Sequence, residues 1–194
     1  MLFPLLAAAA LALQSPAPAA QAPAPVAIST RTEPNGRHAL AHETVVAAPA
    51  AEVWQAIATV DGWRTWAVPV AWGPEPDILE TSYTPTAQPG DASTIHQRLT
   101  TILPGRILSF RTIRAPERFP HFETFAEVTS VFELEPLGEN RTRVRLTGSG
   151  YADTEAGRQL LAFFREGNRI SLERLRQRFE TGPLDWTAVL RESR

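Results

Sequence analysis

The chain has 194 residues and a formal net charge of −2, and all 19 of its basic residues are arginine. It has no cysteine and no lysine. That excludes disulfides, thiolate nucleophiles and Cys-ligated metals, and equally a lysine Schiff base or a P-loop lysine. The near-neutral balance supplies no global field toward nucleic acid or an acidic membrane.

Alanine is the second bias, with 29 residues, eleven of them within the first 27 positions. Leu2 to Leu13 is an uncharged apolar run. It is shorter than the ~20 residues of a membrane span and fits the ~7–15 of a signal h-region. Small residues follow at Ala17-Pro18-Ala19 and Ala20-Gln21-Ala22. The expectation is a signal peptide over residues 1–22, cleaved near 19–22, and an exported protein, periplasmic or secreted. The n-region departs from that pattern, since it carries no Lys or Arg. No integral membrane segment is expected after cleavage. Pro23 and Pro25 then favour an extended, disordered linker over residues 23–37.

The domain is expected over residues 38–182, with a tail at 183–194. Leu40, His42, Thr44 and Val46 alternate with Ala41, Glu43 and Val45, as in a strand. Pro49 opens a short helix to about Thr59, carrying Val53, Trp54 and Ile57 on one face. Asp61-Gly62 breaks it. A second short turn puts Trp63 and Trp66 together. Strands follow at Ile78–Tyr83, Thr94–Leu103 and Arg106–Arg114, and a hairpin joins Val128–Leu137 to Arg141–Tyr151. In its second arm Arg141, Arg143 and Arg145 alternate with Thr142, Val144 and Leu146, so one face is wet and the other buried. Asp153 or Thr154 caps a long helix that Gly182-Pro183 stops. Its apolar stripe is Leu160, Leu161, Phe164, Asn168, Ser171, Leu172, Leu175 and Phe179. Its arginines, among them Arg158, Arg169 and Arg176, take the opposite side, beside glutamates.

Three segments carry a family resemblance. Glu43–Ile57 reads ETVVAAPAAEVWQAI, Val131–Tyr151 reads VFELEPLGENRTRVRLTGSGY and Arg165–Trp186 reads REGNRISLERLRQRFETGPLDW. In this order they resemble the START-related helix-grip (SRPBCC) superfamily, in its polyketide cyclase/dehydrase-like and chaperone-ATPase-activator-like branch. The export signal departs from the cytosolic setting of that activator role. The resemblance implies an α+β fold. A curved antiparallel sheet of about six strands wraps a long C-terminal helix, and two short helices follow the first strand. It also implies an apolar cavity between sheet and helix. Members bind lipids, sterols or polyketides, and some catalyse ring closure or hydrolysis. They share no catalytic motif to carry over.

Asn168 and Ser171 interrupt the apolar stripe, where a buried amide needs a partner or costs ~1–3 kcal/mol. Either they meet a ligand, or Gly167 permits close packing and they bond within the protein. With Phe110, Phe132, Phe164 and Leu175 they make the expected ligand-binding set. Phe119, His121 and Phe122 are the expected lid, because the loop sequence RAPERFPHFETF places aromatics where only a covered surface suits them, and Trp63 and Trp66 are expected as another part of the rim. His38 and His42 lie four apart in a strand, about 13 Å at ~3.3 Å per residue, and cannot share a metal. No metal site and no cofactor is expected. His42 and His96 are the only weak candidates for a general base, against an ordinary core role for each.

The expected function is binding or carriage of a small hydrophobic, lipid- or polyketide-like molecule. The alternatives are a cyclase- or hydrolase-type enzyme using a pocket histidine, and a protein-interaction module without a cavity. The expected partner is a small apolar molecule, not nucleic acid.

Overall fold

A computed structural model of the chain describes residues 26–192. The expected signal peptide and the first residues of the expected linker lie outside the described residues.

In chain order the elements are β1 (Ala27–Thr32), β2 (His38–Val46), α1 (Ala50–Ala58), α2 (Val60–Arg64), β3 (Val70–Glu75) and β4 (Ile78–Ser82). There follow β5 (Ile95–Leu103), β6 (Ile107–Arg114), α3 (Phe122–Phe125), β7 (Thr129–Pro136), β8 (Thr142–Tyr151), α4 (Glu155–Thr181) and α5 (Trp186–Glu192). The strands form one antiparallel sheet in the order β1-β2-β8-β7-β6-β5-β4-β3. The α+β architecture of an open sheet with a long C-terminal helix is therefore present, with eight strands rather than about six.

Both extra strands are edges. β1 lies inside the stretch read as a linker, which corrects that reading for Ala27–Thr32. Past Pro25 the sequence turns to AISTRT, and Ile28 pairs with His42 and Thr30 with Leu40. The pairing gives the outer edge of β2 a backbone partner it would otherwise lack. β3 carries Gly73 and Pro74, which disguise a strand in sequence and which an edge position tolerates. α5 falls within the expected tail.

α4 begins where Thr154 accepts from the Gly157 N–H at 3.2 Å, so Thr154 rather than Asp153 is the cap. It ends at Gly182, whose φ of 95° suits glycine. Its outer arginines are paired: Arg158 with Asp153 and Glu155, Arg169 with Glu166 and Glu173, and Arg176 with Glu180. α4 is seated on β2 and β8. Beyond it, α5 is tied to α2, where the Trp186 indole N–H donates to the Arg64 carbonyl at 2.6 Å.

The interior holds two apolar clusters. The larger joins Val46, Trp63, Trp66, Leu79, Leu108, Phe110, Phe132, Leu134, Val144, Leu146, Leu172 and Leu175. The smaller joins Leu40, Phe125, Val128, Tyr151 and Leu160, with Phe119, Leu161 and Phe164 packed against it. α4 is thus held at its two ends by different clusters. No helix among the described residues is long and apolar enough to cross a membrane.

Candidate functional site: a polar belt between the two clusters

The inward faces of the strands become polar or bare where the clusters part. On β2 the inward series is Leu40, His42, Thr44, Val46: the first belongs to the smaller cluster and the last to the larger. On β7, Ser130 sits between Val128 and Phe132, which belong to opposite clusters. Gly148 of β8 pairs with Ser130 and follows Leu146 on the same face. Thr112 of β6 and Gln97 of β5 pair with each other and carry the series on, obliquely, across the twisted sheet. From α4, Gly167, Asn168 and Ser171 lie between Phe164 and Leu172. These three are only half-buried, whereas Leu160, Leu172 and Leu175 to either side are buried. Half-exposure at the centre of the sheet-facing stripe sets these three apart from the buried leucines to either side.

Several polar atoms in this belt lack partners. His42 is 0 % exposed. Its Nε2 lies 2.8 Å from the Arg165 carbonyl oxygen. A carbonyl only accepts, so Nε2 carries the proton and donates, and Nδ1 keeps its lone pair. That Nδ1 is buried without a hydrogen-bond partner, and so are Thr44 Oγ1 and Gln97 Oε1. Burial holds the His42 imidazole below its ordinary pKa, the Arg165 hydrogen bond opposing and the Arg165 charge adding. The ring is therefore neutral at pH 7. Tyr151 lies with its hydroxyl over Gly148, which has no side chain to displace it. Burial pushes that phenol well above its ordinary range.

Gly167 is the other informative position. A Cβ built there meets nothing within 4 Å. The packing explanation for this glycine is thereby corrected: no neighbour approaches it. Ser171 Oγ donates back to the Gly167 carbonyl at 2.9 Å, and no hydrogen bond of the Asn168 side chain occurs among the described residues.

The expected site residues divide by where the structure puts them. Asn168, Ser171 and His42 fall at the level of the belt, His42 being bonded to the Arg165 carbonyl on α4 and Ser171 to that of Gly167. Phe110, Phe132 and Leu175 are packed core rather than walls of open space. The reason is that Trp63 and Trp66 fold in over them. Trp63 lies 6.2 Å from Phe110 and Trp66 lies 6.3 Å from Phe132 between ring centroids. The two tryptophans are accordingly core and not rim, with their N–H groups donating to the Ile57 and Ala56 carbonyls at 2.6 and 2.9 Å. Phe164 stacks on Phe125 at 4.4 Å, and Phe119 packs on both, so the loop before β7 covers the first half of α4. Phe122 is half-buried and opens α3. His121 stands outside, in a left-handed conformation at φ 55°, bonded to Gln159 at 2.7 Å.

His96 is on the opposite face of the sheet from His42. It pairs with Glu80, and its Nε2 lies 3.2 Å from the buried Glu80 carboxylate, beneath the loop carrying Gly90. The inward position next to it belongs to Gln97. His96 is thus removed as a base for the belt. No group of three His, Asp or Glu residues able to hold a metal occurs among the described residues.

Three hollows lie away from the belt. One of about 580 Å³ is on the outer face, where Arg37 already pairs with Glu127 and Glu33 with Ser149. A second, of about 410 Å³, covers the Glu43–Arg143–Glu135 ladder on the same face. The third, of about 310 Å³, lies between Pro85 and α5. None is lined by a residue of the belt.

Thr44, Gln97, Ser130, Gly148 and Tyr151 escape the sequence reading. Their signal is present all the same: each inward apolar series is interrupted where its neighbour's is.

Comparison with known proteins bears on the whole domain. The family described as "Polyketide cyclase / dehydrase and lipid transport" matches residues 37–180. No curated protein matches. Among solved structures, the Aha1 dimer from Colwellia psychrerythraea is similar at 20% identity and TM-score 0.58, covering 74% of this chain and 97% of that one. CalU16 from Micromonospora echinospora is similar at 19% identity and TM-score 0.55, covering 86% of this chain and 91% of that one. The di-domain ARO/CYC BexL from the BE-7585A biosynthetic pathway is similar at 22% identity and TM-score 0.58, covering 73% of this chain and 46% of that one. At such identities the structural likenesses speak for the fold.

Proposed function

The chain belongs to the polyketide cyclase/dehydrase and lipid transport family, and from that premise we propose that it holds a small, largely apolar molecule in the belt beneath the middle of α4. The family and its structural relatives support a ligand-binding or cyclase role. One observation supports the finer reading. The sheet-facing stripe of α4 is half-accessible at Asn168 and Ser171, and buried polar atoms without partners face the same level. Apolar clusters on both sides fit a hydrophobic body, and the few polar groups between them orient it. The apolar run Leu2–Leu13 further supports an exported carrier.

The experiment is native mass spectrometry of the protein purified from its own cells. A bound mass that disappears in Asn168→Leu is the expected result. A bare polypeptide mass, with no thermal shift from any member of a panel of amphipathic compounds, refutes the reading.

A second reading is favoured by the free lone pair of His42. As a base, Nδ1 would take the acidic proton from a carbon between two carbonyls. The carbanion would close a ring onto a further carbonyl, and the proton would return to the resulting alkoxide. Cyclisation of a linear polyketide that survives in His42→Leu refutes this role without touching the binding reading.

A further inference from the structure

We infer that the belt selects molecules that donate a hydrogen bond, such as a phenol, enol or alcohol hydroxyl, to Nδ1 of His42, and that it rejects carboxylates. The inference rests on the reading of the belt as a ligand site and specifies the chemistry of what enters it.

The Arg165 carbonyl fixes the tautomer. It accepts from Nε2 at 2.8 Å, so the only ring atom left for a ligand is an acceptor. That atom is buried and unpartnered, and so is Thr44 Oγ1, two residues along on the same strand face. A hydroxyl group placed between them gives its proton to His42 and accepts one from Thr44, which completes both. An apolar ligand completes neither, and a buried acceptor left open opposes its entry.

A carboxylate fares worse. Its oxygens carry no hydrogen, so they would set lone pairs against the lone pair of Nδ1. Moving the proton to Nδ1 would turn the bare Nε2 toward the Arg165 oxygen and lose that bond, and protonating both nitrogens would charge a ring whose burial disfavours the cation. Asn168 presents both an amide oxygen and an amide N–H group, so it orients a ligand without choosing between donors and acceptors. The choice falls to His42.

The test uses three ligands of one shape, namely 2-naphthol, naphthalene and 2-naphthoate, titrated into the full chain by calorimetry. The expected order is naphthol tightest, naphthalene about tenfold weaker, as one buried hydrogen bond implies, and naphthoate weakest. In His42→Leu the gap between naphthol and naphthalene closes. Nitrogen NMR of the His42 ring supplies a second measurement in the unmodified protein. Nδ1 should report an unprotonated nitrogen that shifts with naphthol and stays put with naphthalene. Equal binding of naphthol and naphthalene overturns the donor assignment and leaves the ligand site standing. Preferred binding of naphthoate, or a protonated Nδ1, does the same. Failure of all three to bind overturns the inference together with the reading beneath it.

Discussion

Replacing Gly167 by alanine should make the protein more stable and a poorer binder at once. In the interior of a helix, glycine is less favourable than alanine by about 0.8–1 kcal/mol. That deficit is recovered only where the added methyl has room, and at Gly167 a Cβ meets no atom within 4 Å. Gly167→Ala should therefore gain close to 1 kcal/mol, or about 2–4 °C in melting temperature for a domain of this size. The same methyl would stand beside Ser171 and Asn168, in the space assigned to the ligand. Forcing an extra methyl into a filled site costs ~1–3 kcal/mol, so affinity for a naphthol-like probe should fall roughly tenfold.

The same helix supplies the control. Gly157 adopts a similar backbone, but a Cβ there would run into the Ala152 carbonyl. Gly157→Ala should lose about 1–3 kcal/mol instead, because backbone must move. Urea denaturation of the two variants and one binding titration check both halves. Destabilisation by Gly167→Ala would show that the space is not open. Stabilisation with unchanged affinity would show that it is open to solvent but not part of the site.

Asn168→Leu should keep or raise stability, since it leaves only Ser171 as a polar interruption of the α4 stripe, and should weaken binding; a lower urea midpoint would mean that the amide is structural. Trp66→Phe should lose ~1–3 kcal/mol through its bond to the Ala56 carbonyl and its packing on Phe132. Because Trp66 is core, probe affinity in the folded variant should stay the same, and a selective loss of binding would return it to the rim. Stability should also fall in acid through His42. Its folded pKa is lowered from 6.5, so below that pH the unfolded chain takes up a proton that the folded chain refuses. The His42 contribution is constant above this window, declines through it as pH drops, and levels off below the folded value. The urea midpoint of His42→Leu should drop less between about pH 7.5 and about pH 5 than that of the parent, and equal slopes would contradict this.

The sheet was readable in sequence where one face is wet and the other dry. The alternation of Arg143 and Arg145 with Val144 and Leu146 places β8 unambiguously, because a slip of one residue would bury the arginines. The edges were not readable. β1 follows a proline-rich stretch and is exposed along nearly its whole length, so it carries no burial pattern. β3 hides behind Gly73 and Pro74. The strand holding His96 shows no alternation either: its residues are half-buried at one end and mostly exposed beyond Gln97, so neither face stands out as the dry one. Within the candidate site, Asn168 and Ser171 were visible because a helix stripe is local. Gln97, Ser130 and Gly148 were not, since each is unremarkable in its own strand and gains meaning only when registers are aligned. Phe110 and Phe132 were misread as walls because no local pattern shows that Trp63 and Trp66 descend on them.

The belt is hard to explain as a device for stability. Its buried Nδ1, Thr44 Oγ1 and Gln97 Oε1 are unpartnered, and each such group costs on the order of 1–3 kcal/mol. Folded domains have a net stability of only ~5–15 kcal/mol, so that cost is substantial. A valine at Thr44 and an alanine at Gly167 would remove part of it and would let the two clusters come closer to merging. Close packing does not impose the glycine, because nothing lies near its Cβ position. An open position on α4 and open hydrogen-bonding capacity on the sheet are together what the proposed molecule, with an apolar body and a donor group, would fill and satisfy.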